Sequence, residues 1–240
     1  MGSFEPGQPQ QVQSLFEQIA PRYDLLNDLL SLGLHRVWKC QAIAWLSPRP
    51  GQTLLDLCCG TGDLALVLAS RVRPAGRVIG LDAAAAPLQL AARRSARAPW
   101  LVLEWRQGDA LASGLPDGMA AGVAMAYGLR NLADPAAGLA EVRRLLRPGG
   151  RAAVLDFNRP DGAGLQGRLT AGLQKLCLRG LVVPAASLAG LEEHYAYLEP
   201  SLARLPTGAE QERLARRLGF RRVHHRPLAA GLMGLLELQA

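Results

Sequence analysis

Residues 54–65 read LLDLCCGTGDLA, an apolar run that passes through two glycines into a second apolar run. The spacing Gly60-Thr61-Gly62-Asp63-Leu64-Ala65 fits the dinucleotide fingerprint, in which alanine can stand for the third glycine. A nicotinamide oxidoreductase is the first reading this offers. Asp63 opposes it. The residue falls in the first turn of the following helix, where a carboxylate suits the helix dipole. It also occupies the place a dinucleotide would give its pyrophosphate, and two anions at one helix terminus repel. A ligand carrying an ammonium and a sulfonium but no phosphate is attracted instead, and S-adenosylmethionine is such a ligand. Asp56, near the end of the first apolar segment, is poised to favour the same cation. Asp82 ends the second segment, where a carboxylate accepts both ribose hydroxyls of either cofactor. Gly108-Asp109-Ala110 follows the third, where an adenine is bracketed. Any single Asp here is as readily a loop cap; three at successive strand ends are harder to dismiss.

The elements that must position these residues alternate. Strands are expected at Thr53–Leu57, Arg77–Leu81, Leu101–Arg106, Gly122–Ala126 and Arg151–Leu155. Helices are expected at Asp63–Arg71, Pro87–Ser95 and Pro135–Leu145, the last stopped by RPGG at 147–150. Alternation of this kind means βαβ units and a parallel sheet, with right-handed crossovers. Glycines 60 and 62 then turn at the carboxyl edge of the sheet, where open α/β folds bind ligands. Residues 10–46 read as helical, with Leu25, Leu29 and Leu32 on one stripe. Residues 161–205 read as helical or irregular. A helix near Ala209–Leu218 capped by Gly219 follows, then strand-like segments Arg221–Arg226 and Leu232–Leu238. The expected division is a helical cap at 1–46, a cofactor-binding core at 47–160, a substrate-side insert at 161–205 and the closing elements at 206–240.

DLCCGTGDLA, GDA and LLRPGGR together resemble the class I S-adenosylmethionine-dependent methyltransferase pattern. YDLLNDLLSLGLHRVWK at 23–39, YGLRN at 127–131 and LDFNRP at 155–160 are more specific. With them the chain resembles the ubiquinone/menaquinone C-methyltransferase family, from about Phe16 to Leu236. VVPAA, EEHYAYLEPSLARLPTG and GLMGLLEL look like its cyanobacterial and plastid branch, which methylates 2-phytyl-1,4-naphthoquinol in phylloquinone synthesis. The resemblance implies a Rossmann-like α/β fold: a mostly parallel seven-stranded sheet with helices on both faces and an N-terminal helical cap. It implies S-adenosylmethionine as cofactor and S-adenosylhomocysteine as product. It implies contacts from Thr61 in the glycine turn, from Asp82 at the ribose and from Asp109 with Ala110 near adenine. Ala126 matches a position that is serine in bacterial members, so a contact there through the backbone is kept and one through a hydroxyl is lost.

Methylating a ring carbon needs that carbon to be nucleophilic, so the acceptor is expected to be the reduced quinol. Alignment and exclusion of water supply much of the rate, and a base near the quinol would add to it. The candidates are His35, Tyr127, Arg130, Asn131 and Tyr195, with Arg36 and Tyr197 beside them. His35 is a base or, beside Trp38, a packing residue. Arg130 steadies a phenolate or pairs with Asp134 or Glu141. The tyrosines bond quinol oxygens or pack in the core. His224 and His225 alternate on a strand and read as structural. Leucines at 25–34 and the stretch Leu178–Val183 are candidates to line a groove for the tail.

Composition narrows the partners. The chain has 240 residues, 49% hydrophobic and 20% charged, and a net charge of +7, enough apolar content for a core rather than a disordered chain. No apolar run has the length of a membrane span, and MGSFEPGQPQ is not a signal peptide, so a cytosolic protein is expected. Lys39 and Lys175 are the only lysines. The basic charge is thus nearly all arginine, from codon usage or from attraction to an anionic membrane such as the thylakoid. Scattered arginines with 5% aromatics do not read as nucleic-acid binding. Cys40, Cys58, Cys59 and Cys177 lack zinc-ligand spacing, so no metal site is expected, and each reads as a small buried residue in a reducing compartment. A homo-oligomer is compatible with the sequence. Two rivals stand beside the methyltransferase: the nicotinamide enzyme, and a non-catalytic scaffold on the same fold, which Asp56, Gly60, Gly62 and Asp82 oppose.

Overall fold

The computed structural model describes residues 8–20, 27–28, 31, 33–161, 167–168, 170, 172, 174, 176 and 192–240. Its centre is a seven-stranded sheet in the order β3-β2-β1-β4-β5-β7-β6. The strands are β1 (Thr53–Leu57), β2 (Arg77–Asp82), β3 (Leu103–Gln107), β4 (Ala120–Ala126), β5 (Leu146–Phe157), β6 (Arg222–Leu228) and β7 (Met233–Gln239). The first five run parallel. β7 is antiparallel to both β5 and β6. The helices are α1 (Pro9–Ile19), α2 (His35–Leu46), α3 (Asp63–Val72), α4 (Ala85–Ser95), α5 (Pro135–Leu145), α6 (Glu192–Arg204) and α7 (Gly208–Arg217).

The central strands read as near-continuous apolar runs because both faces are covered. On one face Leu55, Leu57, Val123 and Met125 pack with Leu139, Val142 and Leu145 of α5. On the other, Leu54, Val78 and Ala124 pack with Ile43 and Leu46 of α2 and with Leu64, Leu68 and Val72 of α3. Burying a Leu or Val side chain contributes about 1.5–3 kcal/mol, so these two layers hold the sheet. Asp134 caps α5, its Oδ1 accepting from Ala136 N and Ala137 N at 2.7 and 3.2 Å. Thr207 and Glu210 form a capping box on α7, which satisfies two orphan helix donors reciprocally.

Several expected boundaries shift: the fourth strand starts at Ala120 rather than Gly122, the helix expected from Pro87 starts at Ala85 and the sixth strand runs Arg222–Leu228. The third strand starts at Leu103 rather than Leu101, because Leu101 N closes a turn onto Ala98 O at 2.9 Å. The fifth starts at Leu146 rather than Arg151. RPGG does follow the end of α5, but it forms an irregularity inside the strand, where the pairing register shifts between Ala120 and Gly122 and Gly149 takes φ +74°. No helix among the described residues is long and apolar enough to cross a membrane. Leu25, Leu29, Leu32, Leu178–Val183 and Cys177 lie outside the described residues.

Candidate active site

β1, β2 and β4 end together at Leu57, Asp82 and Ala126, and a cavity opens above them. Cys58, Gly60, Asp82, Asp109, Ala110, Ala126, Tyr127 and Asn131 line it. Its roof is α1, which contributes Pro9, Val12, Gln13 and Phe16. Glu17 fixes that helix: its carboxylate accepts from Ala85 N at 2.6 Å and Ala86 N at 2.8 Å. Those are unpaired donors of the first turn of α4, where an anion is favoured.

The floor is built from strained turns. Cys58, Gly60 and Gly62 all have positive φ, at 55°, 54° and 77°. At Gly62 glycine is doubly required, since a Cβ would also overlap the Trp105 ring. Asp82 braces the turn from the neighbouring strand. Its Oδ2 accepts from Gly60 N at 2.8 Å and its Oδ1 from Ala84 N at 3.0 Å. Burial raises the Asp82 pKa, and these hydrogen bonds oppose the rise. Asp109 Oδ1 accepts from Leu111 N at 2.8 Å, shaping the loop that presents Ala110.

Tyr127 follows β4 with φ +63°, a conformation that costs a non-glycine residue about 1–3 kcal/mol. Its surroundings over-determine it. Tyr127 N donates to Leu155 O at 2.7 Å. Its carbonyl accepts from Arg130 Nη1 at 2.8 Å and Asn131 Nδ2 at 3.0 Å. Arg130 Nη1 also reaches Asp156 Oδ1 at 2.7 Å, and the two side chains are 8% and 5% exposed.

The structure therefore corrects the reading of Arg130. Its partner is neither Asp134 nor Glu141 but Asp156, its Nη1 bonds backbone carbonyl and carboxylate, and it is not among the residues that line the cavity. Asp134 caps α5, and Glu141 pairs with Arg144 at 2.6 Å. His35 is likewise away from the cavity wall: buried, with Nε2 2.8 Å from Asp28 Oδ1, while Arg36 takes Asp28 Oδ2 at 2.7 Å. Thr61 and Gly62 shape the turn without lining the cavity. Tyr195 lies in α6, on the stretch whose side chains are outside the described residues, as does Tyr197. Cys40 is exposed and Cys58 half-buried, so neither is the buried filler expected.

Asp63 needs the largest correction. It does start α3, but it is not an uncompensated anion: Lys39 Nζ lies 2.5 Å from its Oδ2. The electrostatic argument built on Asp63 alone therefore fails, because the turn carries an ion pair. Asp56 is 1% exposed, faces the same pair, and has an Oδ2 without a hydrogen-bond partner among the described residues. Burial, then the nearby Asp63, push its pKa well up. Sequence reasoning missed Lys39, Phe16 and Glu17. A signal existed for Lys39: in a chain whose cations are nearly all arginine, one of only two lysines stands there.

A seven-stranded sheet with β7 antiparallel, a glycine turn after β1 and an acid at the end of β2 define a class I S-adenosylmethionine-dependent methyltransferase. The fold is shared with a SAM-dependent methyltransferase from Aquifex aeolicus, TM-score 0.60 at 16% identity, covering 97% of this chain and 98% of that one. Residues 6–236 match the ubiE/COQ5 methyltransferase family, and the chain belongs to that family. It is 49% identical over 228 residues to a 2-phytyl-1,4-naphtoquinone methyltransferase of Thermosynechococcus vestitus, covering 95% of this chain and 98% of that one. It is 47% identical over 227 residues to the protein of the same name from Nostoc punctiforme, covering 94% and 96%. It is 41% identical over 225 residues to a chloroplastic 2-phytyl-1,4-beta-naphthoquinone methyltransferase of Arabidopsis thaliana, covering 92% and 84%.

Proposed function

We propose that the protein methylates the ring carbon of 2-phytyl-1,4-naphthoquinol, the step that completes a phylloquinone ring. The observation that carries the substrate is the 41–49% identity, over nearly the full length of this chain, to relatives named for that reaction. The site's residues fit the cofactor. An adenosine needs apolar walls and a ribose acceptor, and the cavity offers Ala83, Ala84, Ala110 and Leu111 around Asp82. A positively charged amino-acid end favours the ionised form of a buried carboxyl beside it, and Asp56 offers one with an oxygen unpartnered among the described residues.

In this reading Asp82 holds the ribose hydroxyls, Asp109 and Ala110 bound the adenine, and the Gly60–Gly62 turn carries the chain past the methionine portion. When bound, S-adenosylmethionine supplies a sulfonium methyl for the nucleophilic carbon. Tyr127 and Asn131 stand where β4 meets the cavity and orient the quinol; Tyr195 is a further candidate from the insert. Arg130 and Asp156 lock the Tyr127 turn. α1 excludes water from above, which supports reading residues 1–46 as a cap on a core at 47–160 and 206–240, with 161–205 on the substrate side.

The acceptor must be reduced. Oxidation removes two electrons from the ring and makes the carbon an electrophile, and a hydrogen bond to a quinone oxygen withdraws more density. The test is transfer of labelled methyl to 2-phytyl-1,4-naphthoquinone under anaerobic conditions, with and without dithionite. Transfer is expected only with dithionite, on the ring carbon. Equal rates on the oxidised quinone would overturn mechanism and substrate together, and label on oxygen would make it an O-methyltransferase. Because the substrate's tail partitions into lipid and the net charge is +7, we also infer peripheral attachment to an anionic membrane. Flotation with phosphatidylglycerol vesicles at low salt should carry the protein upward, and high salt should release it.

A further inference from the structure

Lys39 has no role in the reading above, and its setting is unusual. It stands in α2 and is not among the residues that line the adenosine cavity. It is 7% exposed. Its Nζ lies 2.5 Å from Asp63 Oδ2 and 5.4 Å from the centroid of the Tyr127 ring. Among the described residues Asp63 is its one hydrogen-bond partner, whereas an ammonium has three donors. A buried cation with unused donors is costly unless something completes it. Asp56, whose charge is felt by the same pair, presents an oxygen in the same condition, buried and without a hydrogen-bond partner among the described residues.

These two unfinished groups have opposite requirements. Lys39 lacks an acceptor; Asp56 lacks a donor. One ligand feature supplies both, an α-amino acid head group with its ammonium and carboxylate on a single carbon. The glycine turn leads there directly. Gly60 lines the cavity, and Asp63, three residues on, is 37% exposed on its side chain, so the pair opens outward at that end. Without Lys39, the carboxylate of such a head group would meet Asp63 and Asp56 with no cation between them.

We propose that Lys39 binds the carboxylate of the cofactor's amino-acid end, holding the head group against Asp63 and Asp56. The assignment rests on S-adenosylmethionine as the cofactor. It explains why the N-terminal helices are joined to the glycine turn by an ion pair: α2 brings the cation that the α/β core lacks at this point.

The test compares ligands that differ only at that end. Calorimetry would measure S-adenosylhomocysteine, its decarboxylated analogue and 5′-methylthioadenosine against the wild type and Lys39→Met. In the wild type, removing the carboxylate should weaken binding by about ten- to a hundredfold, the range of one charged hydrogen bond. Lys39→Met should lose the same factor for S-adenosylhomocysteine and change less than about twofold for the other two ligands. Equal losses for all three would make Lys39 a clamp between α2 and α3 and overturn the proposal. So would unchanged binding of S-adenosylhomocysteine. Should Lys39→Met fail to fold, the wild-type comparison decides alone: equal affinity for the carboxylated and decarboxylated ligands overturns the assignment. Failure of the cofactor reading itself is distinct, since then 5′-methylthioadenosine would not bind the wild type.

Discussion

Replacing Asp156 by alanine tests whether Arg130 is structural or acts on the substrate. Asp156 accepts three hydrogen bonds, from Arg130 Nη1 at 2.7 Å, Arg130 N at 3.1 Å and Phe157 N at 2.8 Å. Its loss leaves a guanidinium that is 8% exposed without its counter-charge. Breaking one partner of a buried pair costs about 3–5 kcal/mol. Unfolding entropy near 2.1 cal/mol/K per residue gives roughly 0.5 kcal/mol/K for this chain, so Tm should fall by about 6–10 °C. Arg130→Met should fall comparably. The double variant Arg130→Met/Asp156→Leu should recover most of the loss, because it removes both charges at once. The assay is thermal unfolding followed by circular dichroism, with methyl transfer measured well below each Tm. The stable double variant should still be impaired, since the Tyr127 carbonyl loses a donor and the strained turn relaxes. If each single variant shifts Tm by less than about 2 °C while turnover collapses, the pair is not holding the turn and the argument fails.

Asp82→Ala should weaken S-adenosylhomocysteine binding about ten- to a hundredfold in calorimetry and leave the fold intact; unchanged affinity would remove Asp82 from the site. Burial, then the nearby Asp63, hold the Asp56 carboxyl well above the ordinary carboxylate range in the folded state. The unfolded chain therefore gives up this proton first, and the stability it contributes at low pH is lost as pH rises from about 4 toward the folded pKa. Asp56→Asn cannot ionise, so its unfolding free energy should gain on the wild type with rising pH, by up to about 1.4 kcal/mol per unit; a difference constant from pH 4 to 8 would refute this. Gly62→Ala places a Cβ against Trp105 at φ +77° and should cost at least about 1–3 kcal/mol, seen as a lowered Tm, with Gly149→Ala, which meets nothing within 4 Å, losing less.

What was legible in the chain were features whose cause is local. The glycine turn, the acids at Asp82 and Asp109, and α5 between Pro135 and Leu145 follow from backbone freedom, strand ends and helix stops. Distant pairings were not. Arg130 and Asp156 are 26 positions apart, and Glu17 reaches a helix start 68 positions away; no periodicity records which charge meets which. Asp63 shows the danger of reading a charge from its neighbours in sequence. Its position at the start of α3 was legible, but its charge is compensated by Lys39, 24 residues earlier. The early start of β5 was hidden because Pro148 and Gly149 look like an end to structure, whereas the register shift opposite Ala120 and Gly122 absorbs them.

The placing of β7 bears on how the protein is made. It is the last of the seven strands to leave the ribosome, yet it lies between β5 and β6. Strands β1 to β5 can assemble as they emerge, since each finds a neighbour made before or soon after it. β5 must then wait with one flank open through all of 158–232, and β6 arrives with no strand to join. That open flank carries Ala152, Val154 and Leu155, all buried in the finished sheet, the kind of apolar edge that pairs with other chains when left uncovered. Synthesis thus has an interval of vulnerability that closes only with Met233–Gln239. A ribosome stalled before that segment should leave an aggregation-prone chain, although nearly the whole cofactor cavity has already been made.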